Sequence, residues 1–225
     1  MTDSQRLAAQ RFYDDAYRAD NYFAHKLRLY RPFVRSLVAA AGLKRGSDVL
    51  DAGCGQGFFS HLLAAEGMTV YGTDMSVVGL KRAREDGDRR TKARFFASDL
   101  NYLPSTHKFD CVFVRSCSLF NTDRLEQCVP PVTRLLEMVK SNGLFIFVYN
   151  TNLSAASGQW RQHRLEDIRS LLEQSCPRVD LYFVNKVDTL VFGRWAFNKP
   201  LTRLNAFLAG RTGYGGEAVA MCRTQ

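Results

Sequence analysis

Short apolar runs alternate along the chain with longer stretches whose apolar positions return every three or four residues. In residues 25–41, Leu27, Tyr30, Val34, Leu37 and Ala41 fall on one helical face, and Gly42 offers a C-terminal stop. Residues 6–18 read as a helix, as do Gly57–Glu66, Val77–Glu85 and Leu165–Gln174. Within 57–66, Phe58, Phe59, Leu62 and Leu63 point inward and Gly67 ends the run. Leu125–Val139 also has helical spacing, but Pro130-Pro131 must kink it or mark its true start. The short runs predict strands at Val49–Ala52, Thr69–Thr73, Arg94–Ala97, Cys111–Val114 and Leu144–Tyr149, the last preceded by an Asn142-Gly143 turn. Two later strands are expected at Val179–Val187 and Glu217–Cys222, with residues 192–216 irregular between them.

Strands alternating with helices imply parallel strands joined by crossovers. The expected fold class is therefore α/β, a Rossmann-like, doubly wound and mostly parallel sheet with an N-terminal helical cap. The last two strands depart from strict alternation. At 225 residues a single domain is expected.

Hydrophobic residues make up 46% of the chain, enough for a full core. No apolar run approaches the ~18 residues of a membrane span, and no apolar signal core follows the polar N-terminus. These features predict a soluble, cytoplasmic protein. The six cysteines contain no C-x-x-C pair, and the four histidines are scattered, so neither a disulfide framework nor a metal site is expected. The net charge of +9 suits an anionic small-molecule substrate or RNA, or reflects only a basic background. The densest basic run, Lys81–Arg94, is broken by acids and lacks aromatics until Phe95. Single-strand binders interleave aromatics for stacking, so nucleic acid is not favoured.

The chemistry concentrates in Asp48-Val-Leu-Asp51-Ala-Gly53-Cys54-Gly55-Gln-Gly57, a strand running into a glycine turn and then a helix. Without Cβ atoms the backbone turns tightly and a ligand can lie against it. The spacing is G-x-G-x-G, whereas the dinucleotide fingerprint is G-x-G-x-x-G. Asp51 precedes the first glycine and would repel a pyrophosphate. It suits a ligand carrying an ammonium group.

This segment resembles the first motif of the class I S-adenosylmethionine-dependent methyltransferases, and the likeness covers roughly residues 44–150. It implies S-adenosyl-L-methionine as cofactor, with Gly53, Cys54, Gly55 and Gly57 around it and Asp51 near its methionine end. It divides the chain into a helical cap (1–43), a cofactor-binding core (44–150) and a substrate side with the final strands (151–225). Asp74 ends the second strand, where family members place an acceptor for ribose hydroxyls; the alternative is a cap for the next helix, a task Ser76 can also perform. Met75 would pack on the adenine. Ser98, Asp99 and Leu100 follow the third strand, where Asp99 would accept from the adenine amino group and the next backbone N–H would meet a ring nitrogen. Asp99 as a turn former is the alternative. Arg115, Ser116 and Cys117 would lie beside the methionine portion.

The resemblance also excludes some chemistries. The Asn/Asp-Pro-Pro-aromatic signature of adenine amino methyltransferases is replaced by Arg115-Ser-Cys-Ser. The nucleophilic cysteine of cytosine C5 enzymes has no counterpart in context, since Cys117 reads as a packed thiol. A histidine common after the fourth strand in small-molecule members is absent, with Leu119-Phe120-Asn121 in its place. Phe12-Tyr13-Asp-Asp-Ala-Tyr17 resembles an aromatic lid helix, with Tyr17 first and Tyr13 second as the ring over the sulfonium. An amphipathic helix packing on the domain is the alternative. Catalytic candidates are His163, Tyr17 and His25, while Tyr149 and Asn150 can touch substrate. Trp160, Phe192, Trp195 and Phe197 line a substrate pocket or fill the core. Arg203 and Arg211 with the Gly213-Tyr-Gly-Gly turn offer an anion site or a plain turn. The expected reaction is methyl transfer to an oxygen or nitrogen of a small molecule, such as a sugar or natural-product precursor. The alternatives are an RNA methyltransferase and an inactive binding module of the same fold.

Overall fold

The computed structural model describes residues 3–19, 23–85, 93–103, 106–154, 161–212 and 215–225. Two helices come first, α1 (Asp3–Ala19) and α2 (Phe23–Ala41). They are followed by β1 (Asp48–Ala52), α3 (Phe58–Ala65), β2 (Thr69–Asp74), α4 (Val77–Glu85), β3 (Ala93–Ala97) and β4 (Phe109–Arg115). The second half holds α5 (Val129–Leu136), β5 (Val139–Tyr149), α6 (Leu165–Glu173), β6 (Arg178–Val184), α7 (Lys186–Phe192), α8 (Lys199–Thr212) and β7 (Glu217–Arg223).

Strand periodicity builds two cores from one sheet. In β5, Leu144, Ile146 and Val148 enter the core shared with α2 and α3. Phe145, Phe147 and Tyr149 enter the opposite core, shared with α5 and α6. β7 alternates in the same way, with Val219 and Met221 on the first face and Ala218, Ala220 and Cys222 on the second. A one-residue slip would exchange the faces, and each large side chain buried contributes about 1.5–3 kcal/mol. The apolar pattern thus fixes the register.

The sheet order is β3-β2-β1-β4-β5-β7-β6, with β7 antiparallel to both neighbours and the other pairings parallel. This is the expected doubly wound α/β class. The order reverses between β1 and β4, the switch point where open α/β sheets bind ligands beyond their carboxyl ends.

Four local expectations need correction. Asn142-Gly143 is a bulge inside β5 rather than a turn before it: Asn142 has φ 58 and the β4 register shifts between Phe109 and Cys111. Pro130 and Pro131, by contrast, do mark the true start of a helix, as the sequence allowed: they occupy the first turn of α5, where a missing N–H costs nothing, and a 3-10 turn at Leu125–Cys128 precedes them. The strand expected to reach Val187 stops at Val184, because the Asn185 side chain accepts from Val187 N at 2.8 Å and starts α7. The stretch expected to be irregular holds a 3-10 turn (Gly193–Ala196) and all of α8. There Asn198 Oδ1 accepts from Leu201 N at 2.8 Å, and Pro200 sits harmlessly in the first turn. Leu27, expected inward, is exposed on α2. Among the described residues no helix is long and apolar enough to cross a membrane.

Gly57 enters α3 at φ 73, and a Cβ there would lie 2.8 Å from Ala83 Cβ and 2.9 Å from the Phe95 ring. Left-handed strain and overpacking together should make Gly57→Ala cost roughly 2–5 kcal/mol of unfolding free energy. Urea denaturation measures this, and a native-like midpoint would contradict the packing described.

Candidate active site

The carboxyl ends of β1 and β2 are stitched together by backbone bonds. Gly53 N and Cys54 N both donate to Thr73 O, at 2.8 and 2.9 Å. The chain then passes through three left-handed glycines, with φ 77 at Gly53, 54 at Gly55 and 73 at Gly57. Only glycine adopts these angles without strain. A Cβ at Gly53 would strike Cys117 Sγ at 2.8 Å.

Asp74 locks this turn. Its Oδ2 accepts from Gly55 N and its Oδ1 from Ser76 N, both at 2.8 Å. Burial raises its carboxyl above the usual range, although the hydrogen bonds from Ser76, Gly55 and Met75 pull the other way. Ser76 caps α4, its Oγ accepting from Gly79 N at 3.0 Å. Capping therefore does not occupy Asp74. Asp51 is buried and accepts from the Ser60 hydroxyl at 2.6 Å. Burial, with the Asp74 charge adding to it, pushes its carboxyl up to about 7.

A cavity of about 370 Å³ opens beyond these strand ends. Of the residues expected around the cofactor, Gly53, Asp74, Met75, Ser98, Asp99 and Leu100 line it. Asp99 Oδ1 accepts from Asn101 N and Nδ2, both at 2.9 Å. Its Oδ2 is buried without a partner among the described residues. Asp51, Cys54, Gly55, Gly57 and Arg115 do not line the cavity. Gly57 instead gives room to Ala83 and Phe95, and the Cys54 thiol is pushed well up by burial.

Arg115 is turned away by strand alternation. Cys111 and Phe113 face the α2 core, and Arg115 follows them at the same period. It donates to Tyr30 Oη at 2.8 Å, pairs with Glu217 and lies 4.6 Å from the Phe59 ring centroid. The loop after it does reach the cavity, through Ser116, Cys117, Ser118 and Leu119. Ser116 is held at φ 45, a conformation that costs a non-glycine residue about 1–3 kcal/mol and persists where the surroundings demand it. Burial pushes the Cys117 thiol up to about 12, which suits packing and not nucleophilic attack.

Helix α1 closes the remaining side with Ala9, Tyr13 and Tyr17. The Tyr17 ring fits a notch made by two glycines. A Cβ at Gly55 would lie 2.6 Å from its Oη, and one at Gly79 would lie 3.0 Å from its ring. Asp14 Oδ1 accepts from Ser76 Oγ and from Val78 N, the latter at 3.2 Å. Gln56 donates to Tyr17 O at 3.1 Å and Arg82 to Arg18 O at 2.9 Å. Sequence reasoning missed Asp14, Gly79, Asn101 and Ser118. The only signal for Asp14 was an acid set among the aromatics of α1.

The other candidates lie elsewhere. His163 lines a separate surface cavity with Asp123, Glu126 and Asp167, and its ring stacks on Tyr149 at 6.2 Å. Burial lowers its pKa. His25 belongs to the first turn of α2, and its side chain, like Trp160, Gly213 and residues 86–92 of the basic run, lies outside the described residues. Tyr149 is buried, and burial raises its phenol. Asn150, just past β5, is not among the cavity-lining residues. Phe197 packs in the core, whereas Phe192 and Trp195 are exposed. Arg203 and Arg211 stand exposed on α8. Among the described residues no group of three or more His, Cys, Asp or Glu is placed to hold a metal.

Comparison with known proteins agrees with this geometry. Residues 49–139 match a family described as a methyltransferase domain. A protein of Geobacillus sp. strain WCH70, named as a methyltransferase, is 28% identical over 120 residues. That match takes in 52% of this chain and 48% of the relative, so it spans about half the relative's length. Magnesium protoporphyrin IX methyltransferase from Synechocystis PCC 6803, crystallised with bound SAM, is 18% identical with a TM-score of 0.63, over 98% of this chain and 97% of that one. The [4+2]-cyclase SpnF is 16% identical with a TM-score of 0.60, over 91% of this chain and 84% of that one. At such identities the solved structures establish the fold alone, and the cyclase illustrates that the fold does not dictate the reaction. The chain thus carries, over residues 49–139, a stretch similar to a methyltransferase domain, set in a Rossmann-like sheet of the same fold as these methyltransferase structures.

Proposed function

We propose that the chain transfers the methyl group of S-adenosylmethionine to an oxygen or nitrogen of a small molecule. The observation that carries this is one cavity at the switch point lined by both Asp74 and Asp99, with Asp99 Oδ2 buried and unpartnered. Asp74 accepts from the Gly55, Ser76 and Met75 amides, and the roughly four lone-pair sites of a carboxylate leave it acceptor capacity for a ribose hydroxyl. Asp99 Oδ2 suits the adenine amino group. Met75 and Leu100 supply apolar surface for the ring. Tyr17 and Tyr13 bring aromatic faces into the cavity, where a sulfonium gains cation–π attraction. The cofactor supplies an electrophilic methyl group. The chain's own contribution is to hold donor and acceptor in line and to exclude water beneath α1. Of the catalytic candidates whose side chains are among the described residues, Tyr17 lines the cavity and His163 does not, and the role of Tyr17 here is orientation. The small-molecule assignment rests on the α1 cover, which closes one side of a cavity of ordinary ligand size.

Calorimetry with S-adenosylmethionine tests the reading. A charge-assisted hydrogen bond to the carboxylate is worth ~1.5–3 kcal/mol, so Asp74→Ala should weaken binding roughly tenfold to hundredfold. Because Asp74 also holds the glycine turn, Asp99→Ala provides a second variant with a smaller structural role, and it too should weaken binding. Absence of binding by the native chain would remove the proposal.

Asp51 makes a pH prediction. Its carboxyl stands near 7 in the folded chain against an ordinary 3.8. Between these values the folded chain keeps a proton that the unfolded chain releases. The stabilising contribution is therefore complete below the lower value and lost as pH rises through the higher one. Asp51→Asn should flatten the decline of the urea midpoint across this window. An unchanged pH slope would show that Asp51 is ionised in the fold.

A further inference from the structure

Exposed large apolar side chains gather on α7, the following 3-10 turn and α8. Val187, Leu190 and Val191 recur at helical spacing along one face of α7, and all are exposed, Val191 at 69%. Trp195 is 68% exposed in the 3-10 turn. Leu204 and Phe207 are exposed on α8. The opposite sides of the two helices meet in the interior, where Asn205 donates to Asp188 Oδ2 at 2.6 Å. A buried polar contact thus ties the two helices together on the side away from their exposed apolar residues.

The charge of this segment is equally distinct. From Thr189 to Gly216 there is no acid, while Arg194, Lys199, Arg203 and Arg211 are all exposed cations. The cations and rings are interleaved: Arg194 lies 4.8 Å from the Trp195 ring centroid and Arg211 3.9 Å from that of Phe207. A face of this composition, apolar and aromatic with cations and no acids, complements an anionic bilayer surface.

We propose that α7, the 3-10 turn and α8 form a membrane-interface surface that seats the protein on anionic lipid. Two other occupants fit less well. A second copy docked face to face would set the same cations against each other. Single-stranded RNA would use the rings and the arginines, but Val187, Leu190, Val191 and Leu204 offer nothing to base stacking. In a bilayer those aliphatic side chains enter the acyl boundary while the cations meet lipid phosphates. The proposal stands apart from the methyl-transfer reading and does not depend on it.

Co-sedimentation with vesicles tests it, comparing phosphatidylcholine alone with a phosphatidylcholine–phosphatidylglycerol mixture. The full chain should sediment with the anionic vesicles, not with the neutral ones, and less at raised salt. Since each interfacial cation contributes about a fivefold gain in partitioning, Arg203→Gln/Arg211→Gln should weaken association by roughly twenty-five-fold. Val191→Ser/Trp195→Ser should abolish it, with melting curves reporting that each variant is folded. In a Trp160→Phe background Trp195 is the single tryptophan, and its emission should shift to the blue on anionic vesicles. No sedimentation with anionic vesicles, or variants that sediment like the native chain, would overturn the proposal. So would a concentration-dependent dimer lost in Val191→Ser/Trp195→Ser, or retention of an oligoribonucleotide without vesicle binding.

Discussion

A buried carboxylate holds the site together. Asp74 sits at the end of β2 and accepts from backbone N–H groups in the glycine turn after β1 and at the entrance to α4. Burying a charge costs several kcal/mol unless hydrogen bonds replace water. These amides replace it in part, and the remaining cost is visible as a raised carboxyl pKa. The same contact continues outward. Ser76, bonded to Asp74 through its amide, caps α4 with its hydroxyl oxygen and donates that hydroxyl to Asp14 of α1. A line of polar contacts therefore runs from the sheet through the helix terminus to the element that covers the cavity.

The cover works because glycine leaves space for it. Gly55 serves the turn and Gly79 serves α4, and both clear room for the Tyr17 ring. On the far face of the sheet a second buried carboxylate, Glu217, gathers Arg115 and Lys186 around Tyr30. Burial alone would raise its pKa, but the two cations outweigh burial and hold it below the usual range. This cluster ties α2, β4, α7 and β7 together and takes Arg115 away from the cavity.

The α/β class, the parallel core and most strands were legible, because apolar runs at strand length alternating with helical spacing admit few other folds. The glycine turn, Asp74 and Asp99 were legible as a constellation, since each falls at a strand end. What failed was local chemistry that competes with pattern. Asn185 stops a strand that its apolar neighbours would extend, and Asn198 starts α8 in a stretch that its glycines made look irregular. Arg115 was placed at the cavity by position along the strand, whereas the alternation Cys111, Phe113, Arg115 already assigned it to the other face. Asp14 and Ser118 were out of reach, because their roles arise from helix packing and a loop path with no sequence signature of their own.

The central claim is that the strand-end cavity is the cofactor site. A crystal structure of the chain grown with saturating S-adenosylhomocysteine tests it most directly. Density for the ligand is expected between Gly53, Asp74 and Asp99, with its ribose on Asp74, its adenine amino group on Asp99 and Tyr17 over its sulfur. Ligand density elsewhere, or a cavity filled only by solvent, would contradict it.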